Sequence, residues 1–281
     1  MKNRLPLLTV KAVILVLLLI LPLSSCVSAK YTKEYYDLFD TYTSVVSYGM
    51  PVSAAIYAEL KYYHDLFDVY SENFDPDAPE VRELLRVCEK YTADSDGVFS
   101  AALGDYTAMW KQFIAAERPL PTESEVSAVK LSGTQPKYDF GAVAKGYTLD
   151  RMVPVLDELG FSGTISIGGS VRAYGSPKIK STYVIGIADP GGGIRDTMEI
   201  APGQAVATSG NYERYRDYEG TRYHHIIDPR TGYPAQSGVV GVTILCDSAA
   251  DADFLSTAEF IEPSGRLLEM YNAEAYWIYE E

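Results

Sequence analysis

The sequence predicts an α+β fold: a single large domain of mixed and antiparallel sheets with flanking helices, or two packed α+β halves. Two observations carry this. Helix-period and strand-type segments follow one another irregularly, with hairpin signals between them, rather than in strict β-α-β alternation. Of the 281 residues, the first 25 read as a cleavable leader. The remaining 256 or so suit one large domain. Hydrophobic residues make up 47% and charged residues 22%, an ordinary globular balance, and no internal repeat stands out.

The elements follow in order. Lys2 and Arg4 precede the apolar run Val13 to Leu21, which is too short to span a bilayer. It ends in Leu23-Ser24-Ser25-Cys26, a pattern like a bacterial lipoprotein processing site. Cys26 is then the lipidated first mature residue, and the protein sits on the extracytoplasmic face of the cell membrane. An ordinary secretory signal with an incidental cysteine is the competing reading. Residues 1–25 are thus a signal peptide, 26–34 a polar tether and 35–281 the catalytic domain.

A strand is expected over residues 39–48, from its β-branched and aromatic composition. Val52 to Val69 places Ile56, Leu60, Tyr63 and Phe67 at helical spacing. Residues 71–79 form a loop, 80–92 a helix, 94–97 a turn and 104–115 a helix. Thr122 with Glu125 marks a capped helix start. Tyr138 to Gly141 closes a strand, and Val143 to Leu159 reads as one helix stopped by Gly160. Strands follow at 164–167, 183–188, 198–200, 204–207 and 239–245, with a hairpin turn at Gly191-Gly192-Gly193. A last long helix holds Asp253 to Ile261, and residues 276–279 form a terminal strand.

The formal net charge of −14 makes nucleic acid a poor partner. An anionic ligand then needs a local device, such as a metal ion or a helix N-terminus. Cys88 and Cys246 can pair or stay buried thiols, and no zinc-type spacing is present.

Four segments carry chemistry. Asp139-Phe140-Gly141-Ala142-Val143-Ala144-Lys145-Gly146-Tyr147 sets a carboxylate, two glycines and a lysine at a strand-to-helix junction. Amides at a helix start and a nearby ammonium attract anions. Ile167-Gly168-Gly169-Ser170-Val171-Arg172 reads as a bulged turn after a short apolar strand. Ser248 with Asp251 makes a capping box and starts a helix. Asp253 and Thr257, four residues apart on that helix, share a face. A carboxylate, a hydroxyl and a nearby backbone carbonyl suit oxygen coordination of Mg²⁺; a solvent-facing helix start is the plain alternative. His224 and His225 stand together before the turn Asp228-Pro229-Arg230-Thr231-Gly232. His225 is a candidate general base or phosphate contact.

Together these blocks resemble the FAD:protein FMN transferase family, also called the ApbE family. The likeness runs from about Tyr35 to the C-terminus, through D-F-G-A-V-A-K-G-Y at 139–147, I-G-G-S-V-R at 167–172, A-T-S-G at 207–210, H-H-I-I-D-P-R-T-G at 224–232 and the helix at 252–258. The resemblance implies Mg²⁺-dependent transfer of FMN from FAD to a threonine hydroxyl of an acceptor protein, with release of AMP. The implied acceptors are redox pump subunits or extracellular flavoproteins. By matching positions, Asp139 and Lys145 contact FAD. Ala142 gives a carbonyl to Mg²⁺, completed by Asp253 and Thr257 with Ser256 close by. Ile227 lines the flavin pocket, Tyr70 borders the flavin, and Thr208 and His225 lie near the diphosphate. Val98, Phe99 and Ser100 occupy the family's G-A-F-D stretch.

The chain departs from that pattern in places. Phe39-Asp40-Thr41 replaces M-G-T, Ser100 replaces a carboxylate, Ser170 replaces the aspartate of G-G-D, and the stretch after Tyr70 is shortened to Ser71-Glu72-Asn73-Phe74. These departures imply that the adenosine end of FAD is held differently. Two other functions compete: an FAD diphosphatase, in which water takes the FMN group, and a non-catalytic FAD-binding lipoprotein. A two-lobed solute-binding lipoprotein suits these motifs less well. His225 and Asp253 both qualify as the general base. If His225 serves with an unperturbed pKa near 6.5, activity should decline near or below neutral pH.

Overall fold

A seven-stranded antiparallel sheet organises the molecule, with strand order β1-β2-β3-β4-β7-β12-β13. The computed structural model describes residues 29–131, 137–177 and 181–280. The leader and Cys26 lie outside the described residues. The sheet strands are β1 (Lys30–Leu38), β2 (Thr41–Tyr48), β3 (Gly163–Ile167), β4 (Ser170–Tyr174), β7 (Ala205–Gly210), β12 (Val239–Cys246) and β13 (Glu274–Tyr279). Each neighbouring pair is antiparallel. Three hairpins stand outside it: β5 (Tyr183–Ala188) with β6 (Ile194–Ile200), β8 (Tyr215–Tyr218) with β9 (Thr221–His224), and β10 (Ile227–Asp228) with β11 (Tyr233–Pro234). The helices are α1 (Ala54–Phe67), α2 (Pro79–Asp94), α3 (Gly104–Ile114), α4 (Glu123–Leu131), α5 (Ala144–Arg151), α6 (Val153–Glu158), α7 (Ala249–Ile261) and α8 (Arg266–Tyr271). The α+β expectation is met in its single-domain form.

Side-chain alternation sorts the sheet's two faces. Ala205 and Ala207 of β7 pack with the helical clusters that contain Leu149, Met152, Phe254 and Leu255. Val206, between them, packs on the opposite face against Tyr183 and Ile200 of the β5–β6 hairpin. The result is helices, sheet and hairpin in three layers. A separate cluster joins α3 to the small hairpins, where Trp110 stacks on Tyr223 with ring centres 5.7 Å apart.

Several expectations change. Residues 30–34, read as tether, instead form the first half of β1, paired with Ser44–Tyr48 of β2. All five are exposed, so the edge strand lacks the apolar alternation by which strands are recognised. Phe39 and Asp40, placed inside a strand, instead form the left-handed β1–β2 turn, with φ of 54° and 51°. The Phe39 N–H donates to His64 Nδ1 at 2.9 Å, which holds that turn from α1. The helix expected over 143–159 divides at Met152 into α5 and α6, because Pro154 has no N–H to continue the ladder. Gly160 does end it, with φ of +62°. Gly168-Gly169 is more than a bulge: it is the two-residue turn of the β3–β4 hairpin, and β4 had no signal of its own. Nor did the four short strands between 215 and 234, or α8.

Candidate functional site

Two helices exchange carboxylates where the site lies. The α5 residue Asp150 caps α7: it accepts from the Ala249 N–H (2.9 Å), the Ala250 N–H (3.0 Å) and the Ser248 hydroxyl (2.8 Å). It also pairs with Arg172 of β4. Ser248 itself caps Asp251 N–H at 3.1 Å, as the sequence predicts. In return, the α7 residue Asp253 accepts the Gly146 N–H of α5 at 2.7 Å through Oδ2. Its Oδ1 accepts the Ser170 hydroxyl of β4, and Lys145 Nζ stands 3.9 Å from Oδ2. The helices come this close because Gly146 has no side chain. A Cβ there would lie 2.0 Å from the Ala249 carbonyl oxygen.

The Gly146 bond has a second consequence. Continued α-helical bonding would send that N–H to the Ala142 carbonyl, four residues back. It goes to Asp253 instead, and the Ala142 carbonyl is left without this partner. Around Asp253 lie further neutral oxygens. Ser256 Oγ donates to the Asp253 carbonyl at 3.0 Å. Ser209 Oγ lies 2.9 Å from Ser256 Oγ and 3.3 Å from Thr257 Oγ1. Asp253 is 4% exposed. This corrects the picture of a solvent-facing helix start: the carboxylate is buried and bonds two neighbouring elements.

A carboxylate, a main-chain carbonyl and hydroxyls form a hard-oxygen set of the kind Mg²⁺ takes. Among the described residues no cluster of three or more His, Cys, Asp or Glu side chains could hold a metal. A set with a single carboxylate is consistent with that.

The other expected residues divide. Asp139 Oδ1 accepts the Gly141 N–H at 2.7 Å, and Lys145 Nζ donates to the Gly141 carbonyl at 2.5 Å, so both line the turn before α5. The loop at 98–102 lies against that turn, through Asp139 N–H to the Ala101 carbonyl at 2.8 Å. Ser100 Oγ accepts the Ala102 N–H at 3.1 Å. Val98 and Phe99 bury their side chains in the main core, and their N–H groups are bonded to Ser95, to its carbonyl at 3.1 Å and its hydroxyl at 3.0 Å. Tyr70 is exposed beside Asp139, under Lys111 Nζ at 5.1 Å from the ring centre.

Thr208 is turned away from Asp253. It shares a face of β7 with Val206 and lies 2.8 Å from Thr243 Oγ1. Ser209, the next residue, is the one that reaches α7. Ile227 is 3% exposed and packs with Tyr106 and Trp110. The sequence blocks contain Ser170 and Ser209, but local pattern assigns neither a role in the site. Only the pairing of Ser170 with Ala207 places them beside each other under α7.

The two histidines differ in role. His224 is buried; its Nε2 lies 2.9 Å from the Ala235 carbonyl, and its Nδ1 accepts the Ile226 N–H at 3.2 Å. Burial pushes its pKa down to about 4. His225 Nδ1 lies 3.3 Å from the Arg214 carbonyl. A carbonyl only accepts, so the matching tautomer is protonated at Nδ1 and leaves the Nε2 lone pair available. Burial, then the charges of Arg214 and His224, lower its pKa to about 3. The expected loss of His225 function near pH 6.5 is therefore corrected: the ring stays neutral well into the acid range. Lys145 also contributes to the lowering, which places it within electrostatic reach of His225. Cys88 and Cys246 are buried free thiols, and burial raises both to about 12.

The sequence pattern of the ApbE family matches residues 39–277. The chain belongs to the ApbE family. The FAD:protein FMN transferase of Rhodobacter capsulatus is 33% identical over 208 residues, 66% of this chain and 39% of that protein. The one of Treponema pallidum is 31% identical over 240 residues, 71% of this chain and 66% of that protein. The chain thus spans between about two-fifths and two-thirds of these curated relatives' lengths. Among solved structures, the ApbE protein of Thermotoga maritima superposes with a TM-score of 0.79 at 29% identity, covering 89% of this chain and 94% of that one. The apo flavinyl transferase ApbE of Pseudomonas stutzeri shares the fold, with a TM-score of 0.76 at 24% identity over 91% of this chain and 92% of that one.

Proposed function

We propose that this family member transfers FMN from FAD to a threonine hydroxyl of an acceptor protein, releasing AMP, with Mg²⁺ bound at Asp253. The observation that carries the reading is the buried Asp253 carboxylate, held by the Gly146 N–H and the Ser170 hydroxyl, with Ser256 bonded to its main-chain carbonyl. The names of the family's curated relatives support the reaction.

Asp253, Thr257 and the Ala142 carbonyl would hold Mg²⁺, which when bound supplies positive charge against the diphosphate. Lys145 adds a fixed ammonium on the same side and lowers the repulsion that a chain of net charge −14 exerts on an anion. The threonine oxygen forms a bond to the FMN phosphorus as the bridging P–O bond breaks, and the electron pair leaves with AMP. The threonine proton needs an acceptor. A neutral His225, with Nε2 free, provides one at physiological pH. Tyr70 and the loop at 98–102 border the Asp139 turn and suit the flavin end. On this reading the chain is lipidated at Cys26 and held on the extracytoplasmic face of the membrane. Among the described residues no helix is long and apolar enough to cross a membrane.

Incubation with FAD, Mg²⁺ and a threonine-bearing acceptor domain, read by mass spectrometry, tests this. An FMN adduct on the acceptor and free AMP are expected. Free FMN with no adduct would replace the transferase by a diphosphatase, and FAD retained intact would leave a flavin-binding protein.

A further inference from the structure

The N-terminus of the fold and the candidate site occupy opposite ends of the sheet. At one end the Ala29 carbonyl accepts the Gly49 N–H at 2.8 Å, and Lys30 pairs with Tyr48. At the other, the Gly168 N–H donates to the Tyr42 carbonyl at 2.9 Å, and the turn it begins leads to Ser170 and Asp253. Six residue spacings of β2 separate the two ends, about 20 Å at 3.3 Å each. Three strand spacings from β1 to β4 add about 14 Å sideways.

The link from Cys26 to Ala29 is short. Three residue spacings reach at most about 11 Å even when fully extended. A lipid on Cys26 therefore fixes one corner of the sheet close to the bilayer. That corner carries Lys30 and the half-exposed ring of Tyr31, with Lys33 one turn of the pleat further on. Amphipathic rings and lysines suit a headgroup layer. The chain as a whole carries a formal net charge of −14, which an anionic surface repels, so the lysine-bearing corner is the exception.

We propose that the lipid anchor seats the Ala29–Tyr31 corner against the bilayer and holds the Asp253 site at the far end of the sheet, facing away from the membrane. The acceptor threonine is then delivered by a polypeptide segment that stands off the bilayer surface, not by one embedded in it. The orientation rests on lipidation at Cys26, and the partner geometry rests also on the transferase reading.

The test uses full-length lipidated protein in vesicles containing a headgroup-level quencher. Single probes are attached at Lys30→Cys and at Tyr36→Cys, two exposed β1 positions outside the site; Cys88 and Cys246 are buried. Six residue spacings again put about 20 Å between them. The probe at position 30 is expected to be quenched several-fold more than the one at 36, whether or not the protein turns over FAD. Equal quenching, or the reverse order, overturns the orientation. Mass spectrometry of the N-terminal peptide is run on the same samples. If it shows no diacylglyceryl thioether, the anchor reading fails and the orientation falls with it.

Discussion

Asp150 and Asp253 are exchanged between the same two helices, yet they do different work. Asp150 is saturated: two backbone N–H groups, the Ser248 hydroxyl and the Arg172 guanidinium all point at it. Asp253 receives one backbone N–H and the Ser170 hydroxyl, and its nearest cation is Lys145 at 3.9 Å. A carboxylate has about four lone-pair sites. The first has spent them on a helix N-terminus. The second keeps capacity, and the groups around it that could share a cation are neutral oxygens. The two carboxylates differ in their donors, and Asp253, the one with capacity to spare, is also the more buried, with 5% side-chain exposure against 24%.

The largest expected effect separates the two. Asp253→Asn should cut FMN transfer by about 10³-fold or more, the loss of several kcal/mol of charge stabilisation. Isothermal titration should show Mg²⁺ binding lost while the denaturation midpoint moves little. Transfer that persists in this variant in the presence of chelator would contradict the assignment. Asp150→Ala should do the opposite. Loss of the cap and of the Arg172 partner should cost about 2–4 kcal/mol in chemical denaturation, with Mg²⁺ affinity of the folded fraction near wild type. A fold as stable as wild type would show that Asp150 is dispensable.

Ser170→Ala sharpens the contrast. It removes one donor from Asp253 without touching Asp150, and should weaken Mg²⁺ affinity by about 10-fold, as for other groups that orient a metal ligand. Unchanged affinity would mean that the Gly146 N–H alone orients the carboxylate.

The smallest effect is in pH. His224 and His225 have folded pKa values of about 4 and about 3, below the unfolded value of about 6.5. The unfolded chain therefore takes up protons first as pH falls, so stability present above about pH 6.5 declines as pH drops towards 4. Denaturation midpoints at pH 7 and pH 5 should show this decline. Single-turnover transfer should show no loss attributable to His225 between those values. A rate titrating near pH 6.5 in wild type, but not in His225→Ala, would show that the ring is less shielded than the structure places it.

Much of the fold was legible in the residues themselves. The Ser248–Asp251 cap, the Thr122–Glu125 cap and the apolar spacing of α1 are local signals, and each element formed where they point. Asp253 and Lys145 were legible as candidates through the blocks that hold them, and the fold brings them to 3.9 Å of each other. Other features were not. β1 gave no sign because an edge strand with exposed faces need not alternate, and Pro154 divides a helix whose apolar spacing runs on through it.

The sequence by itself determined which residue types were available: an aspartate near a capped helix start with a threonine four residues on, a lysine after a glycine turn, and two adjacent histidines. Tertiary structure decided how each is used. It turned Thr208 to the far face and brought Ser209 to α7, because neighbouring residues of a strand point to opposite sides. It divided the histidines into one consumed by backbone bonds and one with a free nitrogen. It also saturated Asp150 and spared Asp253. Each of these depends on contacts between residues far apart in the chain, set by strand register and helix packing, and local pattern carries no record of them.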